Sequence, residues 1–278
     1  SYATLTLLPS VDVQLAGGSV LTWRAGITGD YSNRDGSRVS PLAGLSLEQA
    51  DPSGTTTWAL EYAATAQLPG YTALNSNPNG LFGGNPLLGR ELARQVSAAV
   101  VREQARWQLR AALFARRDDG LVDWTYATAA PFARQANPVD LEVLGVEAFL
   151  AHAWEDVDIA LGVTWLDKDS DYGDAQVDAS YYALNFARQR VTLAVRYRFA
   201  DRFELRVDTE YRRQEDNPLR VGDDHAFLAA VALEWRSAPR APWRLALLAD
   251  NLTDSEFQPF PGTPASGRQY SFSVTYAW

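Results

Sequence analysis

The chain has 278 residues, 46% of them hydrophobic and 12% aromatic, with a net charge of −9 and neither cysteine nor methionine. The acidic balance argues against a nucleic-acid footprint, and the missing thiols exclude disulfides and thiolate metal sites. No apolar run approaches the ~18 to 20 residues of a membrane helix, a test to which transmembrane barrels are blind.

Period-two alternation runs from end to end. It predicts thirteen strands, over 4–15, 19–31, 39–50, 55–68, 92–104, 106–117, 140–154, 157–167, 188–199, 203–214, 224–236, 243–254 and 269–278. Many reach ten residues, against a usual strand of about 5 to 6; crossing a membrane takes ~9 to 11. Tight connections (16–18, 51–54, 155–156, 200–202) alternate with long ones near 69–91, 118–139, 168–187, 215–223 and 255–268. Short turns on one rim and long loops on the other describe an up-and-down barrel in an outer membrane. Trp58, Trp107, Trp154, Trp235, Trp243, Phe199 and Phe203 gather at the short-turn ends, where an aromatic girdle belongs. A soluble sandwich would bury the same apolar face, but it has no reason to sort its loops by parity. The predicted fold is therefore all-β, an antiparallel up-and-down transmembrane β-barrel in the bacterial outer membrane, its apolar face toward lipid and its charged face toward the lumen.

The first long connections are rich in rings and amides. Tyr71, Asn75 and Phe82 in one, and Trp124 and Tyr126 in the next, are candidate ligand contacts; such side chains equally suit packing between loops. Further along, Asp167, Asp169, Asp171, Asp174 and Asp178 offer hard oxygen ligands of the kind calcium takes. Gly173 falls one position late for an EF-hand, and Asp178 stands where the closing glutamate belongs, so the metal candidate is weak. An acidic outer loop of this kind is more often solvated, or bridged by divalent ions to lipopolysaccharide phosphates.

On strand 188–199, Val191, Leu193, Val195, Tyr197 and Phe199 oppose Thr192, Ala194, Arg196 and Arg198. On 203–214, Phe203, Leu205, Val207, Thr209 and Tyr211 oppose Glu204, Arg206, Asp208, Glu210 and Arg212. The charged members are expected to line the lumen as a wet ladder, with Arg196 and Arg198 meeting Glu204 and Asp208. The two histidines carry no clear chemistry. His152 falls on the lipid side near the girdle. His225 adjoins Asp223 and Asp224, a pair that could activate water, but alternation turns His225 outward and Asp224 inward. No catalytic residue and no cofactor is assigned, and the chain is not expected to be an enzyme.

The last strand sets Tyr270, Phe272, Val274, Tyr276 and Trp278 on one face. It resembles the C-terminal sorting signal of outer-membrane proteins, which implies recognition by the barrel-assembly machinery. The segment before it is similar to the closing segment of TonB-dependent outer-membrane receptors, in Asn251, Leu252, Asp254, Phe257, Pro261, Gly262, Gly267 and Arg268. Gly84, Asn85, Pro86, Leu88 and Glu91 resemble the same family's entry into a strand, and 32–48 has its look. The resemblance implies a barrel of about 22 strands filled by a plug. Thirteen strands would then be the C-terminal part, with about nine strands, the plug and its TonB-binding box absent from this chain and expected before Ser1. It also implies capture of a small ligand (a siderophore or other chelated metal, a cobalamin or an oligosaccharide) by the outer loops, with the TonB complex acting through the plug. The alternative is a self-contained passive, porin-like channel whose lumenal charges set ion preference.

Overall fold

Strict alternation of β-branched and aromatic residues favours pleated backbone along the whole chain, and sheet is what forms. The computed structural model describes residues 2–127, 133–217, 219–237, 242–260 and 263–276. In chain order the strands are β1 (Tyr2–Leu7), β2 (Ser10–Gln14), β3 (Val20–Ser32), β4 (Gly36–Asp51), β5 (Gly54–Gln67), β6 (Phe82–Gly83), β7 (Glu91–Gln104) and β8 (Trp107–Tyr126). There follow β9 (Arg134–Ala153), β10 (Val157–Asp171), β11 (Ala179–Ser180), β12 (Ala187–Phe199), β13 (Phe203–Gln214), β14 (His225–Arg236), β15 (Trp243–Asp250) and β16 (Gln269–Tyr276). A five-residue helix, α1 (Tyr71–Asn75), lies between β5 and β6.

All sixteen strands belong to one sheet, with the path β1-β3-β4-β5-β7-β8-β9-β10-β12-β13-β14-β15-β16. These are thirteen positions, each antiparallel to its chain neighbour. Among the described residues no ladder joins β1 to β16, so the sheet is curved wall rather than closed barrel. The predicted strand 4–15 occupies one position in two pieces, since β1 and β2 both pair with β3 in a single register. The break falls at Leu8 and Pro9, where proline has no N–H for the ladder. The strand passes so close to Gly26 that a Cβ there would collide with the Leu7 carbonyl.

Alternation sorts the two faces as expected. Phe203 to Tyr211 on β13, Trp235 to Phe227 on β14 and Val157 to Trp165 on β10 each give a nine-residue apolar stretch, and neighbouring rows align them. That length suits a tilted membrane-crossing strand. Trp165, Tyr211, Phe227 and Tyr270 mark its outer limit; Trp107, Phe203, Trp235, Trp243 and Tyr276 mark the inner one. Leu60 and Leu113, within the band, stand 52% and 59% exposed, which only a hydrocarbon surround makes favourable.

Four predicted boundaries are corrected. Residues 118–126 and 134–139, expected in a loop, extend β8 and β9 to 20 residues each. β10 likewise continues through Asp171. β15 ends at Asp250 rather than 254, because Asn251 and Asp254 adopt left-handed φ values of 46° and 54°. The outer connection between β3 and β4 is also short, only 33–35, with Ser32 Oγ accepting the Arg34 and Asp35 N–H groups at 3.1 and 3.0 Å.

Candidate functional site

Beyond the apolar band, β8 and β9 rise together as a two-stranded ribbon, and a bulge reverses its faces. Their register shifts between Asp118 and Leu121, where Gly120 adopts φ +66°. The extra residue moves the inward role on β8 from even to odd positions. Leu121, Asp123 and Thr125 thereby join the inner face with Val139, Leu141 and Val143, while Val122, Trp124 and Tyr126 turn to the other.

A long connection covers each face. The segment 172–186 folds against the inner face as a strap. Ala183 packs with Val139, Leu141 and Val143, and β11 pairs with Thr125 and Tyr126 of β8. Asp123, with no exposed surface, is its fastening: it accepts the Tyr172 hydroxyl at 2.8 Å and the N–H groups of Tyr182 and Ala183 at 3.1 and 3.0 Å. Lys168 Nζ donates to the Tyr182 carbonyl at 3.3 Å and sits over the Phe186 ring. Burial pushes the Lys168 ammonium below its ordinary pKa, and burial beside Asp123 pushes the Tyr172 phenol up. On the opposite face, the connection between β5 and β7 packs Ala73 and Leu88 against Ala136, Val122 and Trp124. β6 from that connection pairs in parallel with Arg134 and Gln135 of β9.

Between these loops and the inner wall lies a cavity of about 890 Å³. Tyr71 and Trp124 reach it from the mouth; Arg110, Glu147, Arg116 and Lys168 reach it from the wall. Asp118 clasps the Arg116 guanidinium at 2.6 and 2.9 Å. Arg110, by contrast, makes no ion pair or hydrogen bond among the described residues, and so carries free donors into the space. Glu91, also on the wall, has its carboxyl pushed up by burial, partly offset by the Val122 N–H. Cations, carboxylates and rings around one space suit an ionic, partly unsaturated ligand.

Of the five loop candidates, Tyr71 and Trp124 reach this cavity. Trp124 also meets Phe82 edge-on, with ring centroids 5.5 Å apart. Asn75 caps its own short helix by donating to the Tyr71 carbonyl at 3.0 Å. Tyr126 lies under the Arg134 guanidinium, 4.0 Å from its ring. Asp123, Lys168 and Arg110 had no sequence signal, being single charges whose partners lie far away in the chain.

The charged ladder shares the face that carries Arg110 and Glu147. Arg196 meets Glu204 at 3.6 Å and Asp158 at 3.8 Å. Arg198 reaches diagonally to Asp158 at 2.7 Å and not to Asp208, which the register sets opposite Ala194, four residues away. Asp208 has Arg206 at 4.0 Å, and Glu210 receives Arg190 at 2.7 Å and Arg212. Asp167, Asp169 and Asp171 alternate along the outer face of β10; Arg188 pairs with Asp167 at 3.4 Å, and Asp171 accepts the Gly173 N–H. Among the described residues no three such groups converge as metal ligands. His152 lies between Trp107 and Trp154, tilted to the first and edge-on to the second, with ring centroids 3.8 and 4.0 Å away, and Asp224 is engaged by Arg220 rather than His225. In the closing segment, the Asn251 amide donates to the Ser255 and Ser266 carbonyls at 3.0 and 2.7 Å, and Asp254 accepts the Arg268 N–H at 2.9 Å. Those motif residues pin the two ends of the last loop. Pro261, Gly262 and Trp278 lie outside the described residues.

Residues 10–252 match the family described as TonB dependent receptor-like, beta-barrel. Among solved structures, the copper transporter OprC is similar with a TM-score of 0.69 at 13% identity, over 100% of this chain and 48% of its own. The FrpB iron transporter from Neisseria meningitidis gives 0.68 at 14%, over 99% of this chain and 45% of its own. The siderophore receptor PirA from Pseudomonas aeruginosa gives 0.64 at 15%, over 99% and 48%. No curated protein sequence matches the chain. The chain thus spans less than half the length of these structures.

Proposed function

Because the chain belongs to the TonB-dependent receptor-like β-barrel family of the bacterial outer membrane, we propose that it forms part of the wall of an active importer for an anionic metal chelate. The observation that carries this reading is the cavity at the outer mouth. Its uncommitted Arg110, the half-buried Lys168 and the rings of Tyr71 and Trp124 supply charge and flat surface to one guest. Cobalamins and oligosaccharides are the rival ligands of this fold; a half-buried ammonium and a free guanidinium on the wall of one cavity suit a carboxylate or catecholate chelate better. On this reading the thirteen strand positions are the C-terminal part of a barrel of about 22 strands, and a plug carried outside these residues meets the TonB complex.

The test is binding and uptake by the whole receptor, with a ferric chelate bearing several carboxylates as the probe. Arg110→Ala is expected to raise Kd about tenfold, the loss of one charge-assisted hydrogen bond of ~1.4 kcal/mol. A stable open conductance of the whole receptor in planar bilayers would overturn the importer in favour of a passive pore. Unchanged affinity in Arg110→Ala would move the ligand elsewhere.

A further inference from the structure

The floor of the outer cavity is an aromatic ring laid flat on the wall. Phe114 of β8 and Gly145 of β9 are cross-strand partners, on the face that also carries Arg110 and Glu147. A Cβ added to Gly145 would fall on the face of the Phe114 ring, against Cζ, Cε1 and Cε2 together. The ring therefore fills the place where a side chain at 145 would stand. Covering a glycine in this way is a recurrent device of sheets, and it accounts for one face of the ring. The other face is turned to the cavity of about 890 Å³, which Phe114 lines while half-buried.

Phe114 has company there. Tyr71, Trp124 and Tyr182 line the same space, one each from the connection after β5, the ribbon and the strap; Tyr71 and Tyr182 stand 81% and 55% exposed. On β10, Leu166 is the partner of Gly145 and continues the floor as an apolar row. That row lies between the cations of the cavity: Lys168 is one row of the same face nearer the loops, and Arg110 two rows nearer the short turns. A chelate with saturated arms would set polar groups against these rings without hydrogen bonds in return. One with flat unsaturated arms gains ring-on-ring contact beyond its buried area, and its charge still meets Arg110 and Lys168.

We infer that Phe114, lying over Gly145, is a specificity-determining residue that selects chelates with aromatic metal-binding arms, of the catecholate kind, over saturated ones of equal charge. This selection presupposes the importer reading and narrows its ligand class. Gly145 is the positioning residue of the pair, because any side chain there would lift the ring off the wall and into the space an arm of the guest requires.

The test is calorimetric titration of the whole receptor with two ferric probes of the same net charge, one with catecholate arms and one with saturated α-hydroxycarboxylate arms. The wild type is expected to bind the aromatic probe at least about tenfold more tightly. Phe114→Leu keeps the floor apolar but removes the flat face, and Gly145→Ala displaces it. Each is expected to weaken the aromatic probe about fivefold and the saturated one by less than about twofold. In the double variant the alanine is expected to add less than about twofold to the effect of the leucine, since no ring remains for it to displace. Should Gly145→Ala fail to assemble, the wild-type preference and Phe114→Leu decide. Equal wild-type affinity for the two probes overturns the selection and leaves the importer intact. So does a preference that survives Phe114→Leu, or an equal loss of both probes in that variant, the mark of a ring that packs only against protein. Binding of neither probe overturns both readings.

Discussion

Asp123 fastens the strap through three hydrogen bonds at a position with no access to water. Asp123→Ala would strand the Tyr182 and Ala183 N–H groups and the Tyr172 hydroxyl, at roughly 1–3 kcal/mol for each group left unsatisfied. The expected result is much faster amide exchange across 172–186, with the exchange of β12 to β14 unchanged; undisturbed exchange at 182 and 183 would refute the role. Nothing in the sequence marks this residue, since Tyr172 and Ala183 follow it by 49 and 60 positions. Its neighbours Trp124 and Tyr126 drew notice as conspicuous rings. A ring announces itself in isolation, whereas a buried carboxylate is defined only by what reaches it.

At the level of the element, the bulge at Gly120 decides which side of the ribbon each loop meets. Deleting Gly120 would restore simple alternation and swing Asp123 to the opposite face. The expected outcome is a strap that proteases cleave readily within 173–185, on a wall whose apolar band stays intact; a strap as resistant as in the wild type would show that the reversal is immaterial. The same bulge explains why 118–139 reads as a loop in sequence. Above the membrane both faces of β8 and β9 are covered by loops, so there is no polar side to alternate with, and the parity changes midway. Inside the band, where hydrocarbon makes one demand at every strand, the alternation is legible almost residue by residue. The register of Arg198 was not legible, because alternation names a face and not which of two neighbouring strands supplies the partner.

For the whole wall, the inverted sense of its two faces is the governing fact. Val207 stands midway between Phe203 and Tyr211 and pairs with Val195 and Val231. Val207→Arg is expected to cost about 2–4 kcal/mol in urea unfolding from lipid vesicles, the penalty for arginine at the midplane. Ala194→Arg, on the inner face opposite Asp208, is expected to change stability by no more than about 0.5 kcal/mol. Equal costs at the two positions would mean that the assigned faces are wrong. The faces, the girdle and the thirteen positions could all be read from the sequence because they repeat. The cavity could not, since it arises where loops distant in the chain meet the ribbon.

The strap leaves β10, passes over the inner side of β9 and pairs with the far edge of β8 before the chain returns as β12. Such a path constrains time as well as space. Adjacent hairpins close early because their ends are near, but the strap has no seat until β8, β9 and β10 have zipped together. During biogenesis the aperture must therefore begin wide and narrow late, as a belt is buckled after the garment is on.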